Sequence, residues 1–398
     1  MNTISTLKFR ILTILFLLPF LSTAQEATPK RPFWKSLSLS STVYSGSLLK
    51  RGVEHQLVSP EGQTYSLDRS YLYALEVGVQ SQGRQAWESV AKFPIYGIGL
   101  SRLQFQGPFR IGGPWALYGF YRGFAVRTRR WNWQYKFGFG ASWDWEKQQI
   151  RSATEANIIG SDINSYIEIG STVAIQLNKL LSIETGFGWI HYSNGNSRLP
   201  QKGINVIASS LGLRLLLAEP EWSHSAPRQA VFRRKNEIYG YIAYGIRQVD
   251  FNYNDPAAPT ETYGLRYMMA NLTIGFNRQL RPRLKLSSGF ELNYDGTADA
   301  HPDLSTLQPR KGPVSLAKRT GFSLFGGMEW TEGPLAVVLH LGYEVIRTGT
   351  EDQYPRYYQR LGVKYHYTRD LFVGVNIRAF RYHVAKYIEW HMGIRRDL

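Results

Sequence analysis

The sequence predicts an all-β protein: a transmembrane antiparallel β-barrel of about sixteen strands, built either as one large barrel or as two tandem eight-stranded barrels. Three observations predict it. Apolar and polar residues alternate with period two along most of the chain, and helical periodicity is nearly absent. Aromatic residues (14%) and glycine (37 residues) are abundant, whereas only 19% of residues are charged. Beyond the N-terminal segment, no apolar run approaches the length of a membrane helix. A soluble sandwich would need a second apolar layer over each apolar strand face, and the sequence offers no helices for that purpose.

Residues 1–24 read as a signal peptide. Lys8 and Arg10 precede the apolar run ILTILFLLPFL, and the small-residue site Ser22-Thr23-Ala24 follows, so cleavage near Ala24 is expected. A retained N-terminal anchor helix is the alternative. The chain has no cysteine, which excludes a lipoprotein anchor, disulfides, thiol catalysis and cysteine-held metal. His301, His340, His383 and His391 show no metal-ligand spacing and read as ordinary barrel or loop residues; neither metal nor cofactor is expected. The formal net charge is +17. In an exported chain the counterpart of that charge is anionic lipid or lipopolysaccharide phosphate rather than nucleic acid.

The strand faces can be read directly. In WNWQYKFGFGASW, Trp133, Tyr135, Phe137, Phe139, Ala141 and Trp143 share one face, opposite Asn132, Gln134, Lys136, Gly138, Gly140 and Ser142. An apolar, aromatic-rich face opposite a polar, glycine-rich one is the pattern of a strand with lipid outside and a filled lumen inside. The pattern returns in RLKLSSGFELNYD, with a bulge expected around Ser287-Ser288-Gly289, and again in PLAVVLHLGYEV and LFVGVNIRAF.

Counting strands with the N-terminus in the periplasm, the short turns RTRRW, NKL, RQLRPR, TEGP and TRD fall on the periplasmic side. The long connections 47–69, 146–163, 251–262 and 296–317 fall outside the cell. Two periplasmic connections are longer than this pattern predicts: 82–95, and the polar stretch EPEWSHSAPRQAVFRRKN at 219–236. The expected organisation is therefore a first barrel half at 25–218, a periplasmic linker at 219–235 and a second half at 236–398. An internal echo between SIETGFGWIHYSNG and LKLSSGFELNYDG suggests duplication, and the second copy lacks the histidine and serine.

One stretch carries chemistry: GFGWIHYSNGNSRLPQKGINVIASSLGL, residues 186–213. Its odd positions, Phe187, Trp189, His191 and Ser193, share the apolar face, so the last two polar groups project outward at the extracellular end. Asn205, at the start of the next strand, lies on the same face. Polar groups facing lipid need a reason. Residues i and i+2 of a strand lie within about 7 Å on one side. His191 can therefore take the proton of Ser193, a hydroxyl that attacks carbonyls only with such help. Asn205 is placed to hold the imidazole tautomer, and Asn194 with loop amides to stabilise an oxyanion. Trp189 reads as an aromatic-belt residue or a substrate contact. Arg198 and Lys202 are candidates for lipid phosphate, or simply solvated. Asn194 also fits turn chemistry.

HYSNGNSRLPQKGIN resembles the active-site segment of the outer-membrane lipid A 3-O-deacylase family, PagL, at His191, Ser193, Asn194, Pro200 and Gly203. The resemblance covers roughly residues 36–218. It implies an eight-stranded barrel with a Ser-His-Glu triad on its outer face, cleaving the ester-linked acyl chain at the 3-position of lipid A. The whole chain also resembles longer proteins described as acyloxyacyl hydrolases. The implied partners are lipid A in the outer leaflet of the outer membrane and the barrel assembly machinery. One departure stands out, because Asn205 occupies the glutamate position. An amide oxygen still accepts the imidazole N–H but cannot neutralise imidazolium, and Asp-to-Asn in a serine-protease triad lowers turnover about 10⁴-fold. The expected function is a serine esterase releasing a hydroxy fatty acid. The alternative is a non-catalytic pore or scaffold of the same family.

Overall fold

The computed structural model describes residues 32–49, 56–58, 64–66, 69–83, 85–106, 112–146, 159–198, 203–219, 232, 234–249, 265–298, 302–303, 308–309, 315–347, 355–382 and 384–398. The first eight long strands are β1 (Leu37–Leu48), β2 (Arg69–Gln80), β3 (Ile95–Gln106), β4 (Gly112–Arg127), β5 (Trp131–Trp145), β6 (Asn164–Gln176), β7 (Leu181–Ser193) and β8 (Ile204–Leu216). Each pairs antiparallel with its sequence neighbours, and β1 closes the ring on β8 with Val43 opposite Leu211.

A second ring follows: β9 (Asn236–Val249), β10 (Leu265–Arg281), β11 (Leu284–Asp295), β12 (Thr320–Glu332), β13 (Leu335–Ile346), β14 (Tyr357–His366), β15 (Leu371–Phe380) and β16 (Val384–Asp397). It closes between β9 and β16, with Tyr241 opposite Gly393. The alternative left open by the sequence is thus resolved as two closed eight-stranded barrels. Two short two-stranded ribbons, 56–58 with 64–66 and 302–303 with 308–309, lie outside the rings.

The alternation read from sequence becomes two different surfaces. Outward residues such as Leu75, Phe187, Leu211, Ile242 and Met392 are 63–67% exposed, an apolar exterior that water would not tolerate and lipid does. No helix among the described residues is long and apolar enough to cross a membrane. Leu284–Asp295 contains no bulge: Ser287, Ser288 and Gly289 pair in continuous register on both sides. Ser288 is simply a small residue on the outward face, and its polarity mimics a slip. The irregularity lies in β10 instead, between Gln279 and Arg281. The expected signal peptide lies outside the described residues, as do most of the linker and of the long extracellular connections.

Eight strands enclose a lumen just wide enough for side chains to fill, and both lumens are filled. In the first, buried Arg122 bridges Glu76 (2.8 Å) and Glu184 (2.5 Å), and Arg214 pairs with Glu184 (3.1 Å). Lys136 pairs with Glu76 and with Glu168 (2.8 Å). The Tyr44 and Tyr118 hydroxyls donate to Glu168 (2.6 Å) and Glu76 (3.0 Å). Three carboxylates thus meet three cations, which is how a charge becomes tolerable away from water. Gly99 makes room for this packing, since a Cβ there would sit 2.4 Å from the Tyr118 ring. Towards the end where β7 finishes, the filling becomes apolar: Leu48, Leu103, Trp145, Ile159, Tyr192, Ile204 and Val206 cluster there. The second lumen holds Arg360 between Glu291 and Glu389, Lys364 on Glu329 (2.8 Å) and Arg378 on Glu344 (3.0 Å).

The barrels touch at both ends. At the lower end, Glu332 accepts hydrogen bonds from Tyr121 (3.0 Å) and Tyr135 (2.9 Å) of the first barrel and from Arg283 (3.0 Å) and Trp330 (3.1 Å) of the second. The long connection at 82–95 contains a short helix, α1 (Ala86–Val90), which reaches the same seam. Its Val90 carbonyl accepts from Arg283, and its Trp87 packs on Gly333.

Candidate active site

β7 ends at the upper rim as Trp189-Ile190-His191-Tyr192-Ser193, and the pleat separates these side chains. Ile190 and Tyr192 are fully buried in the lumen, with Tyr192 packed edge-on against Trp145 and Tyr166. They fix the strand from inside. His191 is half-buried on the outer face, flanked by β6 and β8.

Asn205 sits directly opposite His191 in the β7–β8 register, and its side-chain oxygen lies 2.8 Å from His191 Nδ1. An amide oxygen can only accept, so Nδ1 carries the proton and Nε2 is left with its lone pair. Trp189, two residues back on the same face, stacks on the imidazole with ring centroids 5.5 Å apart and planes within 13°. The ring is therefore held at one edge by an amide and across its face by an indole.

Ser193 differs from the sequence expectation in its exposure. Its parity is that of His191, yet it is only 2% exposed and its hydroxyl makes no hydrogen bond to any described residue. A turn at 194–198 follows it directly. Ser165, opposite Ser193 on β6, donates its hydroxyl to the Ser193 carbonyl (2.6 Å). Asn194 holds the turn: its Nδ2 donates to Ser161 Oγ (2.9 Å) and to the Arg198 carbonyl (2.7 Å). Ser161 in turn donates to Asn164 Oδ1 (2.7 Å). Gly195 and Asn196 take positive φ (59° and 66°), the backbone reversal that a Ser-Asn-Gly-Asn sequence favours. The Asn194 amide thus donates once within the turn, to Arg198, and once to Ser161 ahead of β6.

Glu184, the nearest acid in the strand, points into the lumen between Arg122 and Arg214, as its parity requires. Arg198 is half-buried and enters the site through its carbonyl. Lys202 and Pro200 lie outside the described residues, as do His301 and His383. His340 and His391 are buried in the second lumen. Sequence reasoning missed Ser161, Ser165 and Asn164. They begin or precede β6, the neighbour of β7 across the short turn at 177–180, and the β6–β7 register sets Ser165 opposite Ser193.

The sequence matches two models of a known family. Residues 73–214 match the family profile described as lipid A 3-O-deacylase (PagL), and residues 236–397 match that of the acyloxyacyl hydrolase C-terminal domain. The chain belongs to the PagL-like acyloxyacyl hydrolase family. Its first barrel carries the PagL match and the candidate site, and its second barrel is the C-terminal domain of the family. Membership identifies an outer-membrane barrel of a lipid A deacylase, hence hydrolase, family.

Among solved structures, one titled "Crystal structure of the outer membrane enzyme PagL" is 14% identical, with 45% of this chain and 98% of that chain covered and a TM-score of 0.29. Mutants of the Rhodopseudomonas blastica porin are 10% identical over 91% of this chain and 99% of theirs, with TM-scores of 0.16–0.17. No curated protein matches the chain.

Proposed function

We propose that this PagL-like protein is a serine esterase that removes an ester-linked acyl chain from lipid A in the outer leaflet. One observation carries the reading: the His191 Nδ1 to Asn205 contact of 2.8 Å lies on the outer face of the wall, on the same strand side as Ser193. A half-buried imidazole–amide pair on the outer face of the wall has no evident structural task. It is, however, the orienting half of a nucleophile–base–orienter set.

In the proposed reaction, Ser193 Oγ attacks the acyl carbonyl carbon while its proton passes to His191 Nε2. Backbone N–H groups of the 194–198 turn are the oxyanion donors we assign, because the Asn194 side chain spends its hydrogens holding that turn. Collapse expels the sugar alkoxide, which takes the proton from Nε2, and an acyl-serine remains. Water then attacks the acyl-serine with His191 again as base, releasing the hydroxy fatty acid and restoring Ser193. Asn205 keeps the proton on Nδ1 throughout. Trp189 fixes the ring plane. Arg198 and Lys202 are proposed to meet lipid A phosphate, and cleavage near Ala24 is proposed to deliver the mature chain to the barrel assembly machinery.

The filled lumens bear on the alternative. Buried ion pairs occupy the interior of both barrels, which speaks against a pore and leaves a non-catalytic scaffold as the competing reading. Mass spectrometry of lipid A from cells with and without the protein separates the two. The esterase predicts loss of one acyl mass, absent with Ser193→Ala at equal outer-membrane abundance. Unchanged lipid A in the wild type would refute it.

A further inference from the structure

The turn that follows Ser193 is also held from the other barrel. Gln248, near the upper end of β9, donates its backbone N–H to the Asn196 carbonyl (2.9 Å). Gly195 lies against Ile388 of β16 so closely that a Cβ would come 2.2 Å from Ile388 Cγ1, 2.6 Å from Cδ1 and 3.2 Å from the Ile388 nitrogen. Ile388 has little freedom of its own, since Gly245 of β9 packs on its carbonyl. From the first barrel the same turn is held by Asn194 through Ser161 and Arg198. The turn is thus pinned from two sides by two separate barrels, and the Glu332 cluster at the opposite rim stops one barrel rocking against the other.

We propose that the second barrel is a positioning element for the active-site turn, acting through Ile388 and the Gln248 N–H. It holds residues 194–196 so that the Ser193 hydroxyl and the turn's N–H groups keep a fixed relation to His191. This rests on the esterase reading. It gives the C-terminal domain a role that needs no chemistry of its own, consistent with the absence of a histidine–serine pair in its echo of the active-site strand. Displacing a catalytic group by an ångström costs on the order of 10²-fold in rate, so a modest clamp has a large lever.

The test uses the full-length chain with lipid A as substrate, reading kcat and KM separately. Ile388→Trp pushes the turn and is expected to lower kcat by roughly 10- to 100-fold with KM within about twofold, whereas Ile388→Val stays near wild type. Gly195→Ala, clashing from the other side, is expected to lower kcat similarly. Ile388→Trp alone could disturb the second barrel, so the decisive variant is the double substitution Gly195→Ala with Ile388→Ala. It removes the two side-chain atoms that the new methyl meets most closely, leaving the Ile388 nitrogen and the positive φ of residue 195, and should recover part of the kcat lost in Gly195→Ala alone. Additive losses in the double variant, or no kcat change in either single one, overturn the proposal while leaving the esterase intact. A wild-type chain without lipid A turnover overturns the esterase reading, and the positioning role falls with it.

Discussion

His191 and Asn205 face each other across the β7–β8 ladder, with the amide oxygen 2.8 Å from Nδ1. A carboxylate in that position would hold the same tautomer and also neutralise the imidazolium formed as Ser193 loses its proton. The amide does only the first. Asn205→Glu is therefore expected to raise the kcat for lipid A deacylation by about tenfold or more, and Asn205→Leu to lower it by a similar factor or more. Single-turnover measurement on detergent-dispersed lipid A distinguishes these outcomes, and a scaffold protein would respond to neither change.

Trp189 stacks on the same imidazole. Such ring pairs are worth about 0.5–1.5 kcal/mol beyond their buried area. Trp189→Ala should then cost roughly three- to tenfold in kcat, and Trp189→Phe should restore part of it. Equal kcat for all three proteins would mean that the indole serves the membrane interface and not the base.

Glu332 gathers donors from both barrels. Its replacement by alanine leaves Arg283 without its buried partner and should destabilise the protein by about 3 kcal/mol, read as a lower urea midpoint. Combining it with Arg283→Met should cost less than the sum of the single changes, since the two residues share one network.

Lys136 lies between two carboxylates in the first lumen. Lys136→Met leaves Glu168 without its cation and Glu76 with Arg122 alone, and is expected to cost about 3–5 kcal/mol in unfolding free energy. In planar bilayers the wild-type protein should show no steady ion conductance. A stable open channel would contradict the filled lumens.

Much of this was legible in the sequence because a barrel wall obeys a strict two-residue code. Parity alone places His191 and Asn205 on the outer face and Glu184 inside, and the structure has them so, whereas Ser193, of the same parity as His191, is buried with its hydroxyl bonded to no described residue. What parity does not carry is which strands close a ring, because β1–β8 and β9–β16 closure are pairings of distant segments. The burial of Ser193 was hidden because parity carries no account of what packs around a strand end, where Ser165 bonds the Ser193 carbonyl and Ser161 bonds Asn194. The expected bulge at 287–289 failed because Ser288 is polar on a lipid face, a composition irregularity without a geometric one. The helix at Ala86–Val90 was foreshadowed only by an over-long connection, whose docking site is supplied by the other barrel.

The packed lumens have a further implication for the cell. A hydrolase built on an open ring would leak nutrients, salts and noxious solutes in proportion to its copy number. With Arg122, Lys136, Arg360 and Arg378 locked onto carboxylates across both interiors, this protein can be made abundantly without weakening the permeability barrier of its membrane.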